Sequence, residues 1–247
     1  MLILLLVLAA GVWAGAQNAL AGGGSFITLP TLILSGMDAR AANITSCVAL
    51  FPGQIATGWA GREGRAGIGA LSFPWLLGLS LVGGVIGAVL LLLTPSSFFA
   101  RLVPWLVLFA TAVFAWGSFR KRPEPHLVVH KPIPAGIAQF LIAIYGGYFG
   151  GGIGFLMLAA LTIFGQTQKA AYATKNVLAA VMNASAVLIF IFSPDMHWRQ
   201  AGALAVGAIA GGLLGAWALK RVNERILRGL VVLIGVGLTI GLFLHPV

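Results

Sequence analysis

Two runs of glycine in this sequence are the first candidates for chemistry, because bare backbone can bind an anion. They are Gly22-Gly23-Gly24-Ser25 and Gly150-Gly151-Gly152-Ile153. Glycine runs interrupt a helix, and the helix that begins after each run, at Ser25 and near Ile153, presents unpaired N–H groups and the positive end of its dipole. The Ser25 hydroxyl is a further donor. The pattern predicts an anion site at the two breaks, with tight helix packing as the alternative.

Polar side chains follow each glycine run at matching distances. An ammonium group that faces a cavity attracts an anion, whereas one at the edge of an apolar segment extends to the membrane interface. Hydroxyl groups near a helix start either bind substrate or cap the helix, and buried amides either bind substrate or join two helices. We predict that all of these side chains bind substrate and leave those alternatives open: Thr45, Ser46, Gln54, Thr174, Lys175, Asn176 and Asn183.

The sequence lacks the groups that enzymes and metal sites require. The single cysteine, Cys47, excludes an internal disulfide, and no Cys or His spacing suits a metal ion. Neither Ser25 nor Cys47 has a histidine within an apolar segment to act as its base, so we predict no enzyme activity, no catalytic residue, no metal and no cofactor. The carboxylates all lie in loops or at segment edges, which disfavours carboxylate-based proton coupling: Asp38, Glu63, Glu124, Asp195 and Glu224.

The composition places these residues in a membrane protein. Of the 247 residues 60% are hydrophobic and only 8% are charged, against about 25% charged in a globular domain. The 15 Lys and Arg stand between apolar runs and form no solvated patch, so nucleic acid is not a predicted partner. Charge-free windows long enough to cross a bilayer recur along the chain. They predict an all-α polytopic fold with eight spans, the windows being 1–37, 41–61, 66–100, 102–119, 132–168, 176–194, 200–219 and 229–247.

The first and fifth windows are too long for one span. As straight helices they would extend about 55 Å, nearly twice the hydrocarbon thickness, and a glycine run breaks each of them. If each broken window returns to its starting side, 12 of the 15 basic residues share one side and only Arg40, Arg101 and Arg199 lie on the other. Because cytoplasmic loops are rich in Lys and Arg, we predict about ten helical segments, both termini outside and the linker 120–131 in the cytoplasm.

The two halves of the chain match each other. With an offset of 128, Gly22-Gly23-Gly24 aligns with Gly150-Gly151-Gly152, and Gly83-Gly84-Val85-Ile86-Gly87 aligns with Gly211-Gly212-Leu213-Leu214-Gly215. One inserted residue aligns Gln54 with Asn183. This order predicts a duplicated unit in opposite orientations, with repeats 1–119 and 132–247 around the linker 120–131. Small residues in the second pair of motifs favour helix packing.

The motifs resemble those of the TauE/SafE sulfite exporter family. The resemblance rests on the glycine-broken first segment, on Ala42-Asn43-Ile44-Thr45-Ser46 and on Ala171-Tyr172-Ala173-Thr174-Lys175. It covers nearly the whole chain. It implies a multi-pass protein of the bacterial inner membrane that moves small sulfur-containing anions such as sulfite, sulfonates or related organosulfur compounds.

The function expected from the residues and the resemblance together is export of such an anion. Expelling one negative charge from a cell that is negative inside gains about 2.3 kcal/mol per 100 mV, so export needs no coupling ion. A passive anion channel and an ion-coupled importer are the alternatives. The expected partners are a small anionic substrate and the lipid bilayer, and the sequence leaves open a homo-oligomer.

Overall fold

The computed structural model describes residues 2–20, 23–119, 132–218 and 224–244. The long secondary-structure elements of these residues are all α-helices. An isolated bridge between Ile68 and Leu71 is the β pairing among them. The linker 120–131, Gly22 and the two chain ends lie outside the described residues. The helices are α1 (Leu2–Leu20), α2 (Ser25–Leu34), α3 (Ala39–Gly61), α4 (Phe73–Leu93), α5 (Ser96–Phe119), α6 (Pro132–Tyr148), α7 (Ile153–Ile163), α8 (Gln168–Phe190), α9 (Trp198–Ala218) and α10 (Glu224–Leu244).

Apolar composition and outward-facing side chains identify the fold as that of a membrane protein. Three helical stretches are each long and apolar enough to cross a bilayer: Phe73–Leu93, Ser96–Trp116 and Lys169–Phe190. Large apolar side chains such as Leu93, Leu188 and Phe192 lie on the outside of the bundle with most of their surface uncovered. Lipid can cover such side chains at no cost, whereas water cannot.

Helix starts agree with the sequence prediction at both glycine runs. Helix α2 begins at Ser25 and α7 begins at Ile153. They have 10 and 11 residues, so each is about 15 Å long, roughly half of the hydrocarbon thickness. Neither helix is long enough to cross a bilayer alone.

The helices of the two halves follow the same order and have nearly the same lengths. The third helix has 23 residues in both halves and the fourth has 21. The closest helix pairs are α1 with α9 and α4 with α6, and each pair joins one half to the other. Exchanging the halves converts the first pair into the second. The two halves therefore interlock and do not pack as separate domains.

Glycine allows the helices in these pairs to approach with their backbones in contact. A Cβ added at Gly87 of α4 would meet the carbonyl oxygen of Ile144 in α6, and one added at Gly211 of α9 would meet that of Val12 in α1. Both glycines belong to the aligned motifs for which the sequence favoured packing. The contacts confirm that role, which is the usual one for small residues in membrane helices.

Contacts between loops show which helix ends lie together. Arg40, which follows α2, forms an ion pair of 2.8 Å with Asp195 in the loop after α8. At the opposite end, Gln166, which follows α7, donates to the carbonyl oxygen of Ala66 in the loop after α3. We call these the Arg40 end and the Ala66 end. This grouping agrees with the predicted return of the second glycine-broken segment to the side where it began.

Candidate functional site

The first glycine break is held open by two side chains from the end of α1. Gly23 adopts a φ of +82°, which favours glycine. The Gln17 amide donates a hydrogen bond of 3.0 Å to the carbonyl oxygen of Gly23, and the backbone N–H of Gly24 donates one of 2.7 Å to the Asn18 side chain. With the chain direction set in this way, α2 starts at Ser25, whose side chain is half-buried.

The second break is held in a closely similar manner. Gly150 and Gly152 adopt φ values of +77° and +73°. The Tyr145 hydroxyl donates a hydrogen bond of 3.0 Å to the carbonyl oxygen of Gly151. Gln17 and Tyr145 occupy the same position in the 128-residue alignment, as do Gly23 and Gly151. The two halves therefore fix the middle glycine of each break with different side chains at equivalent positions.

Lys175 brings a positive charge to the second break. Its Nζ lies 3.7 Å from the point that a Cβ on Gly154 would occupy, in the first turn of α7. The ammonium also lies 5.6 Å from the centre of the Tyr172 ring. Within the described parts of the chain no carboxylate lies within ion-pair distance of it. An ammonium beside the positive end of a helix dipole forms a strongly electropositive site.

Hydroxyl groups replace the lysine at the first break. The Thr28 and Ser46 hydroxyl oxygens are 2.5 Å apart, and both residues are buried. Ser46 aligns with Lys175 in the repeat. At the first break the Gly24 N–H is already bonded to Asn18, so this break offers the start of α2 and neutral hydroxyls, whereas the second break combines glycine N–H groups with a cation. Both sets suit an anion, but only the second supplies a full positive charge.

Thr45 and Thr174 do not cap their helices, because the caps are Asp38 for α3 and Thr167 for α8. The capping alternative is therefore wrong for both. Instead, the Thr45 hydroxyl accepts a hydrogen bond of 3.3 Å from the backbone N–H of His197, and that of Thr174 accepts one of 2.9 Å from Ala66. Each threonine joins its helix to a loop of the other half, away from the glycine breaks.

Gln54 and Asn183 meet where α3 crosses α8. The Asn183 amide donates a hydrogen bond of 2.5 Å to Oε1 of Gln54, and the Cys47 thiol lies 3.8 Å from the Asn183 oxygen. This contact agrees with the alternative of a hydrogen bond between helices. Asn176 lies on the same crossing, with its backbone carbonyl facing Gly58.

The structure thus divides the predicted site residues into three groups. Gly23, Gly24 and Ser25 lie with Ser46 around the first break. Gly150-Gly151-Gly152 lies with Lys175 around the second. The remaining residues join helices to one another or to loops, namely Thr45, Thr174, Gln54, Asn183 and Asn176.

Sequence reasoning missed the side chains that shape the breaks. Gln17 and Tyr145 each stand six residues before the glycine whose carbonyl they bind. Asn43 donates a hydrogen bond of 3.1 Å to the carbonyl oxygen of Tyr148, which ties α3 to the second break. The sequence did contain a signal for them: Gln17 and Tyr145 are polar residues at one aligned position, and an apolar segment seldom carries such groups without a buried partner.

A lateral cleft between α4 and α6 is unsuited to an anion. It has a volume of about 430 Å³ and opens to the outside of the bundle. Among the described residues its walls carry no charged or hydrogen-bonding side chain other than the Trp75 indole. They consist of Ala70, Leu71, Trp75, Leu79, Pro132, Ile133, Gly136, Ile137 and Phe140.

The helices and breaks described above define a polytopic membrane protein of the transporter class. The chain belongs to the sulfite exporter TauE/SafE family, whose model matches residues 7–242. It is 26% identical over 235 residues to a "Probable membrane transporter protein ORF9" of Sinorhizobium sp., covering 94% of this chain and 89% of that one. A "Probable membrane transporter protein" of Haemophilus influenzae is 25% identical, with 96% and 93% covered. "Probable membrane transporter protein YfcA" of Escherichia coli K12 is also 25% identical, with 90% and 82% covered.

Proposed function

We propose that this membrane transporter exports small sulfur-containing anions, such as sulfite, sulfonates or related organosulfur compounds, across the bacterial inner membrane. The anion binds between the N-termini of α2 and α7, at the two glycine breaks. The site residues in this proposal are the glycines of both breaks, Ser25, Ser46 and Lys175. The family supplies the substrate class, and the geometry at the breaks supplies the reason for an anion.

The observation that carries the proposal is the position of Lys175 beside the first turn of α7. An ammonium group in an apolar segment normally reaches the interface or pairs with a carboxylate. This one lies next to Gly154 instead, where the helix dipole has the same sign. An anion held near both would offset their repulsion, and at about 4 Å a unit charge pair contributes on the order of 4 kcal/mol at an effective dielectric constant of 20.

The size of the substrate follows from the backbone. Glycine N–H groups bind an oxyanion only when no side chain stands between them and the ligand. A Cβ added at Gly151 would meet the Phe149 ring, and one added at Gly152 would meet the Ala110 side chain. Such close surroundings favour a compact anion with few atoms, in agreement with sulfite or a small sulfonate.

The direction of transport follows from charge. We place the Ala66 end in the cytoplasm, because Arg62 and Arg65 lie there and the predicted topology assigns most of the other basic residues to the same side. Both termini then lie outside. Export of an anion runs down the membrane potential, so no coupling ion is required for it.

Efflux from proteoliposomes tests the proposal. Vesicles loaded with sulfite, and others loaded with a small sulfonate, are compared for the wild type and for Lys175→Gln and Lys175→Arg. We expect efflux from wild-type vesicles, a loss of at least about tenfold in Lys175→Gln and partial retention in Lys175→Arg, which keeps the charge. Lys169→Gln is the matched control, because Lys169 is exposed on the same helix.

Two results would contradict the proposal. If neither solute left wild-type vesicles faster than it left loaded vesicles without protein, the substrate assignment would be wrong. Equal losses in Lys175→Gln and Lys169→Gln would show that the effect depends on the surface charge of α8 rather than on a site at the break.

A further inference from the structure

Arg40 holds a guanidinium group at the junction of three connecting segments. Its side chain is only 20% exposed. Nη1 donates to the carbonyl oxygens of Thr94, at 2.8 Å, and Leu92, at 3.4 Å, at the end of α4. Nη2 lies 2.8 Å from the Asp195 carboxylate, in the loop between α8 and α9. This one side chain therefore connects α3 to both neighbouring segments at the Arg40 end.

Of the two guanidinium N–H groups that together suit an oxyanion, one is bonded and the other is not within the described part of the chain. The N–H groups on Nε and Nη2 point the same way and together match two oxygens of one carboxylate or other oxyanion. Asp195 occupies Nη2 alone. Nε is buried, and no group of the described residues accepts a hydrogen bond from it. A buried donor without a partner costs roughly 1–3 kcal/mol, so a ligand that fills both positions is favoured over Asp195.

We propose that Arg40 forms a second anion site, which the Asp195 carboxylate occupies in this state and which the transported oxyanion takes over on its way through the Arg40 end. The inference rests on the proposed function. Asp195 stands in for the ligand: it has the charge and one oxygen in the right place, but it does not reach Nε.

Replacement of Asp195 by the oxyanion would break the connection between the loop after α8 and α3. When the oxyanion binds Nε and Nη2, the Asp195 loop loses its ion pair with α3. The hydrogen bond from the His197 N–H to Thr45 remains and limits how far the loop can move. Arg40 keeps its bonds to Thr94 and Leu92, so the anion binds to a fixed guanidinium. The site would pass a small oxyanion outward without leaving Arg40 unpaired.

Calorimetric titration of the purified protein with sulfite tests the inference. Lys175→Gln is the background, so that binding at the glycine break is removed. In that background we expect Asp195→Asn to bind sulfite at least about fivefold more tightly than Lys175→Gln alone, since the competing carboxylate is gone. Adding Arg40→Gln should abolish that binding. Arg40→Lys should weaken it, because an ammonium lacks the paired N–H groups.

The control is Glu63→Gln in the same background. Glu63 belongs to the other ion pair among the described residues, with Arg62 at the exposed Ala66 end, and its removal should leave sulfite affinity unchanged. Equal affinity in Asp195→Asn and Glu63→Gln would overturn the inference, and so would binding that survives Arg40→Gln. Either result would leave the proposed function intact, because that depends on the difference between the wild type and Lys175→Gln.

If one of these variants fails to fold, thermal unfolding of the more conservative variants tests the inference instead. Thermal unfolding with and without sulfite is followed for Asp195→Asn, which conserves shape, and for Arg40→Lys, which keeps the charge. A sulfite-dependent rise in the unfolding temperature that is larger in Asp195→Asn than in the Lys175→Gln parent supports the second site. An unchanged or smaller rise rejects it.

Discussion

Asn183 donates a hydrogen bond of 2.5 Å to the side-chain oxygen of Gln54, and these two residues occupy equivalent positions in the two halves of the chain. The pair lies where α3 crosses α8, and these are the third helices of the first and second halves of the chain. The Cys47 thiol adds a weaker contact to the Asn183 oxygen. A polar pair at this crossing fixes the register of the two long helices in surroundings where water does not compete.

Replacing both members of this pair should cost less stability than the sum of the two single replacements. Asn183→Leu leaves the Gln54 amide without its partner, with a cost of about 1–3 kcal/mol, whereas the double variant Gln54→Leu, Asn183→Leu removes both polar groups. Hydrogen bonds between membrane helices average about 0.6 kcal/mol in double-mutant cycles, and we expect a coupling free energy of that order. Unfolding in a denaturing detergent measures it. A coupling of zero would mean that the two side chains act independently.

Close helix packing predicts a large difference between two glycines of α4. Gly87→Ala should destabilise the protein by at least about 1–3 kcal/mol, because the new Cβ would meet the Ile144 carbonyl and neither backbone can move aside. Gly78→Ala is the matched control, since nothing lies within 4 Å of a Cβ there. Helix propensity should make that variant slightly more stable. Thermal unfolding of both purified variants decides the matter, and equal midpoints would contradict the interlocked packing of α4 and α6.

The Tyr145 hydroxyl should matter for transport more than for stability. Tyr145→Phe removes the hydrogen bond to Gly151 and leaves the ring in place, so the unfolding free energy should fall by only about 1 kcal/mol. Because the second break is no longer held, we expect sulfite efflux to fall several-fold. Tyr148→Phe is the comparison, as its hydroxyl lies at 3.4 Å from Thr94 and away from the glycines. Similar efflux in both variants would show that the Gly151 carbonyl needs no support.

The positions of the two breaks could be predicted from the sequence because glycine acts locally. A run of residues without Cβ atoms interrupts a helix wherever it stands, and both new helices begin where the glycines end. The distribution of Lys and Arg, which are enriched in cytoplasmic loops, also predicts that each broken segment returns to its starting side. The ion pair of Arg40 with Asp195 at one end agrees with that topology for the second segment.

The side-chain partners at the breaks could not be predicted, because they depend on three-dimensional packing. Nothing in the composition of α1 indicates that Gln17 turns toward Gly23, or that α1 packs beside α9 rather than beside its neighbours in its own half. The role of the threonines was open for the same reason. A hydroxyl in the second turn of a helix has several backbone partners within reach, and only the opposing loop decides among them.

Thr174 provides the last prediction, because it lies next to Lys175 in sequence yet binds a loop. Thr174→Val removes the acceptor for the Ala66 N–H and leaves the loop after α3 held by Gln166, so we expect a loss of about 1–2 kcal/mol in the free energy of unfolding. Thr174→Ser keeps the hydroxyl and should behave like the wild type. Sulfite affinity, measured by titration calorimetry, should change little in either variant, because the hydroxyl faces the loop. A loss of affinity in Thr174→Val that Thr174→Ser restores, at equal stability, would instead place this hydroxyl among the groups that contact the anion.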